Sequence, residues 1–515
     1  MSCIVKQKIG DKVYLYESIS YRNSKGQPRN KRTIIGKIDT NTGQPRYKPE
    51  YLDRLASTGR HSEIRQENPL FTKDDIRNSK IRDIGAVYLF QKLAEEIGLL
   101  DTLSQALPGC WKEVFNLVSY LICTGEPFAY FEDWLENTEA YPVGEMTSQR
   151  ISELLSSISK EQRDRFYQVW CALRTEKEYL ALDITSVSSY SELIENVEWG
   201  YNRDGENLRQ INSCLLMGYQ SRLPIYQTVY NGSLKDVSTL QTTLRTFQAL
   251  AGEKPIIAVM DKGFYSKKNI DAMLDTGSRV NFLIAVPFTN KLAKDMVTKY
   301  KTGIDTLDNT IVFEGKESLR AVTTLHKWDK EHELYTHVYY NPRKALNARE
   351  DLYSHVATLR DAAMEQPLKY LNNPEYTRYL SLSKQQSEKD GEKYTVSMKK
   401  DVIEAELLTA GWMVILSDYV KTAKEAIMIY RGKDIAEKGF QRLKNNLDMD
   451  RIRVHSYTSM QNKIFICFLS LILISAIHNV MSDKKLYVKM SMKKLILIMS
   501  KLKTQSVKGL CPKLF

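Results

Sequence analysis

The feature that most constrains this chain is the order of hydrophobic periods between residues 178 and 290. Two-residue alternation and short apolar runs predict strands at Tyr179–Ile184, Leu208–Gly218 and Pro224–Tyr230. A helical period begins at about Val237, a strand follows at Ile256–Met260, a helix begins at Lys267, and a last strand covers Asn281–Val286. The order β, β, β, α, β, α, β predicts an α/β fold built on one mixed sheet with helices packed against it.

Two of these strands run into an acid. Glu178-Tyr-Leu-Ala-Leu-Asp183 and Pro255-Ile-Ile-Ala-Val-Met-Asp261 each read as a short buried strand whose last residue is Asp, followed by turn or helix-start residues. Acids at strand ends can converge at one edge of a sheet. One such Asp alone would be an ordinary helix N-cap.

A third acid lies far downstream. Read as a single helix, the stretch Tyr430–Lys444 places Tyr430, Lys433, Glu437, Gln441 and Lys444 three or four residues apart, on one face. Ala436, Phe440 and Leu443 form an adjacent apolar stripe that packs the helix on a core. By itself this face could be a surface helix stabilised by its own charges. Together with Asp183 and Asp261 it suggests a carboxylate cluster, which repels itself unless a cation neutralises it. Oxygen ligands without thiolate point to Mg²⁺ or Mn²⁺.

The order Asp183, Asp261, Glu437, with a long gap before the Glu, resembles the DDE transposases of bacterial insertion sequences. The last helix is similar to the Tyr-x2-Arg-x3-Glu-x6-Lys signature of their cut-and-paste branch, on Tyr430, Glu437 and Lys444. Lys433 stands where the family has Arg, and Arg431 lies two residues before it. Lysine keeps the charge but not the bidentate fork. The resemblance extends over Gly200–Arg209, Leu223–Asp236 and the apolar helix after residue 463, about residues 80–482 in all.

This resemblance implies an RNase H-like core interrupted by a β-rich insertion. It implies two divalent ions, with Asp183 bridging them, Asp261 on one and Glu437 on the other. Lys433, Lys444 and Arg431 would hold DNA phosphates, Tyr430 would position the strand, and Trp328 in the insertion is a candidate platform for a flipped base. The implied partners are transposon-end double-stranded DNA and target DNA, handled by a homodimer. A nuclease of the same fold that does not join strands, and a DNA-binding derivative that has lost activity, stay open as alternatives.

Charge and cysteine usage agree with this outline. The net charge of +12 is concentrated at the ends: residues 1–50 hold 11 Lys/Arg against 4 Asp/Glu, and residues 483–515 hold 9 Lys against 1 Asp. Basic ends on a near-neutral body suit a polyanion. Residues 1–60 read as a basic β-hairpin unit, with Arg29, Lys31 and Arg32 as candidate DNA contacts. Residues 76–177 read as an α-helical DNA-binding or dimerisation region, 178–290 as the first part of the core, 291–418 as the insertion, 419–482 as the second part of the core, and 483–515 as a basic tail. Seven cysteines without a CxxC pair exclude a disulfide framework and a thiolate zinc site, and suit a reducing cytoplasm. The apolar run Ile464–Ile477 is too short for a confident membrane span and reads as a buried core helix, so no membrane partner is expected.

Overall fold

The computed structural model describes residues 2–10, 12–24, 26–39, 44–57, 80–174, 179–191, 193–203, 205–251, 256–275, 279–313, 317–370, 372–386, 392–447, 451–452, 454, 456–506 and 513–514. Contacts divide the chain into two compact units, residues 1–80 with 507–511, and residues 81–506 with 512–515.

In the smaller unit, β1 (Ser2–Ile9), β2 (Lys12–Arg22), β3 (Pro28–Ile38) and β4 (Pro45–Tyr47) pair antiparallel in chain order, followed by α1 (Pro49–Ser57). The expected hairpin is thus the centre of a four-stranded meander. Its turn closes through Asn23, whose side chain accepts the Gln27 N–H, and Gly26 supplies the positive φ of 72°. Lys25 of that turn lies outside the described residues. Leu15, Ile35 and Tyr51 form a small core, while Arg29, Lys31 and Arg32 stand exposed on β3.

The larger unit opens with β5 (Lys80–Asp83) and a helical region: α2 (Gly85–Glu96), α3 (Leu99–Ala106), α4 (Trp111–Thr124), α5 (Phe131–Glu136), α6 (Ser148–Ser157) and α7 (Lys160–Leu173). The helical pattern from Ser148 to Leu173 is broken after α6, because Ser159 and Gln162 form a capping box that starts α7 afresh.

The chain then enters one large mixed sheet. Its strands are β6 (Tyr179–Ser189), β7 (Gln210–Gly218), β8 (Pro224–Asn231), β9 (Ile256–Met260) and β10 (Val280–Ala285), with α8 (Asp236–Ala251) before β9 and α9 (Lys267–Leu274) before β10. After α10 (Lys291–Tyr300) come β11 (Thr310–Val312), β12 (Ser318–Lys327) and β13 (Glu333–Tyr340). A helical excursion follows: α11 (Pro342–Glu365), α12 (Pro367–Tyr370), α13 (Pro374–Tyr379), the hairpin β14 (Leu380–Gln386) with β15 (Glu392–Met398), and α14 (Lys400–Leu407). It has its own apolar core around Val356, Leu359 and Tyr379. Then β16 (Trp412–Ser417) returns to the large sheet.

The strand order is β11-β12-β13-β16-β10-β9-β6-β7-β8, with the short β17 (Arg451–Ile452) beside β6. β6, β9 and β10 are mutually parallel, and the other neighbours along the path are antiparallel. β11, β12, β13 and β16 therefore extend the central sheet, whereas β14 and β15 form a separate two-stranded sheet. β7 and β9 are buried along their whole length, which explains their unbroken apolar runs.

Two consecutive helices, α15 (Ala423–Gly432) and α16 (Asp434–Asn446), lie over one face of this sheet. The first packs on β9, β10, β12 and β13, the second on β6 and β7. The long α17 (Tyr457–Asp483) packs on α4, α6, α16 and β8. It is long and apolar enough to cross a membrane, yet 83% of its most apolar stretch is buried inside the protein, as expected of a core helix. Finally α18 (Met492–Met499) leads to β18 (Lys503–Ser506) and β19 (Lys513–Leu514), with β18 lying between β5 and β19.

Candidate active site

Asp183 and Asp261 come together through sheet register. β6 and β9 pair in parallel up to Leu182 opposite Met260, so Asp183 and Asp261 are the next residues on adjacent strands and share a face. β9 ends there, and Asp261 accepts the Lys262 N–H at 2.5 Å to cap the turn Lys262–Phe264. Asp183 differs from the strand-end expectation. It sits within an 11-residue strand that continues to Ser189, because Thr185 to Ser188 go on pairing with β7, through Ser213 to Gln210.

The helix pair over that face supplies cations and a phenol. The continuous helix expected from Tyr430 to Lys444 is instead two helices that meet at Lys433. Gly432, the last residue of the first helix, lies against the Tyr219 ring, where a Cβ would come within 1.9 Å of it. At the junction Tyr430 Oη donates to Asp261 Oδ1 at 3.3 Å, and Lys433 Nζ lies 3.6 Å from Asp261 Oδ2. Burial, with the Asp261 charge adding to it, holds the Tyr430 phenol well above its usual pKa, so it remains a donor. Burial also pushes Asp183 up to about 6, against the opposing pull of the Ile184 N–H at 2.9 Å and the charges of Lys433 and Arg203.

Glu437 follows one turn into α16, is exposed, and lines the same cleft as Asp261, Tyr430 and Lys433. That cleft has a volume of about 1140 Å³; Lys262 and Lys344 add positive charge, and Trp412 adds an aromatic wall. Trp412, half-buried, packs on Tyr340 with ring centroids 4.8 Å apart. Among the described residues, no group of three or more His, Cys, Asp or Glu side chains is gathered tightly enough to hold a metal ion. The fold thus joins the two aspartates and sets Glu437 on the cleft that Asp261 lines, without closing all three into one cluster.

Other candidates are engaged elsewhere. Arg431 pairs with Glu317 at 2.8 Å and stacks over Phe313 at 4.3 Å. Lys444 is half-buried two turns beyond Glu437 on α16. The Trp328 indole N–H donates to Asp271 at 2.8 Å, with the Lys267 ammonium 5.6 Å over its ring. Sequence reasoning missed Arg203, whose charge acts on Asp183 from the β6–β7 loop, and Lys344, which reaches the cleft from α11. Arg203 lies within the Gly200–Arg209 segment already singled out; nothing local marks Lys344.

The family described as transposase DDE domain matches residues 174–473, more than half of the chain. The chain belongs to the DDE transposase family. Membership makes it, in general terms, a polynucleotidyl-transferase or nuclease enzyme that acts on DNA, in a family that generally uses divalent metal ions. Among solved structures it is similar to a piggyBac transposase synaptic complex with hairpin DNA, studied by cryo-EM, at 10% identity and a TM-score of 0.36, over 81% of this chain and 70% of that one. No curated protein matches the chain. The matched range contains Asp183, Asp261 and Glu437, and it takes in both the large sheet and the helix pair of this DDE transposase.

Proposed function

We propose that this DDE transposase cuts the ends of an insertion sequence and joins them to target DNA, working as a homodimer on paired ends. The carrying observation is that Asp183 and Asp261 are adjacent in register, that Asp261 meets Tyr430 and Lys433 at the helix junction, and that Glu437 lines the same cleft as Asp261. The order β8-β7-β6-β9-β10, antiparallel then parallel, supports an RNase H-like core, with residues 291–418 as its insertion.

The donor set suits hard divalent cations. All three side chains are carboxylates, and the buried Asp183 gains from any cation that offsets Asp261. When bound by Asp183, Asp261 and Glu437, two Mg²⁺ or Mn²⁺ ions would activate the attacking oxygen and stabilise the leaving one. The chain's own residues do the rest. Lys433, only 17% exposed, stands beside Asp261, where it can meet the backbone of the bound strand. Lys262, Lys344 and Lys444 extend that contact, and Tyr430 fixes the orientation of Asp261. Arg431 acts on DNA only by leaving Glu317. The contacts of Trp328 with Asp271 and Lys267 favour a structural role over base stacking. The exposed Arg29, Lys31 and Arg32 of β3 offer sequence-independent phosphate contacts. Seven cysteines without a CxxC pair suit the cytoplasm as the place of action.

The experiment is incubation with Mg²⁺ of a plasmid carrying the DNA that flanks this gene. Excised ends joined into a second plasmid support the reading. Cleavage without joined product would leave a nuclease, and tight binding without cleavage an inactive derivative.

A further inference from the structure

In the smaller unit, β2 and β3 run on past their neighbours as a two-stranded ribbon. β1 pairs with β2 only as far as Ile19, opposite Ser2, and β4 meets β3 only at residues 36–38. The pairs Ser20 with Asn30, Tyr21 with Arg29 and Arg22 with Pro28 have no third strand beside them among the described residues. The turn that closes the ribbon is braced. Arg22 donates to the Gly26 carbonyl at 2.8 Å, and the Gly26 N–H donates to the Asn23 carbonyl at 2.9 Å. Residues 18–33 hold five Lys/Arg and no Asp/Glu.

The pairing sorts the ribbon's side chains onto two faces. Glu17 pairs with Arg54 of α1, so α1 packs on the face that Glu17 shares with Ile19, Tyr21, Arg29 and Lys31. Ser20, Arg22, Asn30 and Arg32 share the other face, turned away from α1, and all four are exposed. At the centre of that face the Ser20 hydroxyl donates to Asn30 Oδ1 at 2.7 Å. This bond fixes which edge of the amide is the carbonyl, and leaves Nδ2 and a second Oδ1 lone pair for a partner. A clamped amide with acceptor and donor side by side matches the major-groove edge of adenine. Arg22 and Arg32 stand on either side of it, each two strand residues, about 7 Å, away.

A two-stranded ribbon fits the major groove of B-form DNA but not its minor groove, whereas A-form RNA closes its major groove to side chains. Five cations without an acid oppose a protein partner, because the core of such a contact is poor in charge. We infer that the β2–β3 ribbon enters the major groove of the duplex that the enzyme cuts, with Asn30 reading an adenine. The inference rests on the DNA-cutting reading above and goes beyond its sequence-independent phosphate contacts. Asn30 supplies sequence preference, while Arg29 and Lys31, on the opposite face, supply charge for the phosphates of the groove walls.

The test uses the full chain, without divalent metal so that no strand is cut, with fluorescent duplexes tiling the DNA on either side of this gene and a shuffled control. Wild type should prefer a flank duplex over the control. Asn30→Ala should bind that duplex roughly tenfold or more weakly, with affinity for the control unchanged. Ser20→Ala, which releases the amide, should lose part of the preference. Arg29→Ala/Lys31→Ala should weaken both duplexes alike and flatten the salt dependence. Replacing the adenines of the preferred duplex one at a time by 7-deazaadenine should find one whose loss costs wild type what Asn30→Ala costs, and costs Asn30→Ala nothing more. No preference by wild type would overturn the inference, as would an Asn30→Ala protein that weakens both duplexes alike or neither. Cleavage of the flanking DNA in Mg²⁺ tests the DNA-cutting reading separately. Cutting by wild type with an indifferent Asn30→Ala would remove the ribbon's role and leave that reading standing.

Discussion

Lys433 Nζ lies 3.6 Å from Asp261 Oδ2, held there by a helix junction rather than by the regular turn of one helix. The ammonium is mostly buried, so its charge is poorly screened by solvent. Lys433→Met should reduce strand cleavage roughly a hundredfold, as the loss of a preorganised charge does, while overall DNA affinity falls little. Lys433→Arg should retain most activity. Single-turnover cleavage rates decide, and an unchanged rate for Lys433→Met would remove the residue from the site.

Gly432, next to that junction, lies against the Tyr219 ring. A Cβ at this position has nowhere to go while the Tyr219 ring stays in place. Gly432→Ala should lower stability by about 1–3 kcal/mol through overpacking, and Gly432→Ala/Tyr219→Ala should recover part of it. Additive losses in thermal melts of the two single variants and the double would contradict this packing.

Asn462 joins α17 to the helical region. Its Nδ2 donates to the carbonyls of Leu155 at 2.7 Å and Ile158 at 2.8 Å, and its Oδ1 accepts from Arg163 at 2.5 Å. Asn462→Ala removes all three of these bonds at a buried position, and should lower the thermal midpoint by on the order of 5 °C. Asn462→Asp keeps the acceptor for Arg163 but loses both donations, so it should also destabilise. A melt like that of wild type for either variant would contradict the assignment.

His337 should give stability a pH dependence. The ring is fully buried, with Nε2 3.0 Å from the Val420 carbonyl and Nδ1 3.0 Å from the Thr323 hydroxyl. Burial pushes its pKa down to about 4. The unfolded chain takes up a proton near pH 6.5, whereas the folded protein does not until about pH 4. Stability from this ring is therefore complete above about pH 6.5 and is lost as pH falls toward 4. Asp418, whose carboxylate accepts the Phe282 N–H, is pushed up to about 6 by burial and slopes the other way. Melts of wild type and His337→Gln across this range separate the two: the wild-type advantage should shrink on acidification. A constant difference would mean that the ring does not stay neutral.

Much of this architecture is legible in the sequence. The strands β7, β9 and β10 announce themselves by apolar runs, because both of their faces are buried along nearly the whole length. Asp261 is legible for the same reason, as the first polar residue after Ile256–Met260. The extent of β6 is not, since Thr185 to Ser189 are small residues that become strand only by pairing with β7. The close approach of Gly432 to Tyr219, far away in sequence, is not legible either, and glycine within a helical pattern gives no direction by itself. The fates of Arg431 and Trp328 likewise rest on Glu317 and Asp271, partners that no local pattern names.

The central claim is that Asp183, Asp261 and Glu437 act as one metal-binding set, although the fold gathers only the two aspartates closely. The most direct measurement is Mg²⁺-dependent cleavage of the flanking DNA by wild type, Asp183→Asn, Asp261→Asn and Glu437→Gln side by side. The account predicts cleavage by wild type alone, with DNA binding kept by all four proteins. Cutting at the wild-type rate by Glu437→Gln would contradict it, and would restrict the site to the two aspartates at the β6–β9 register.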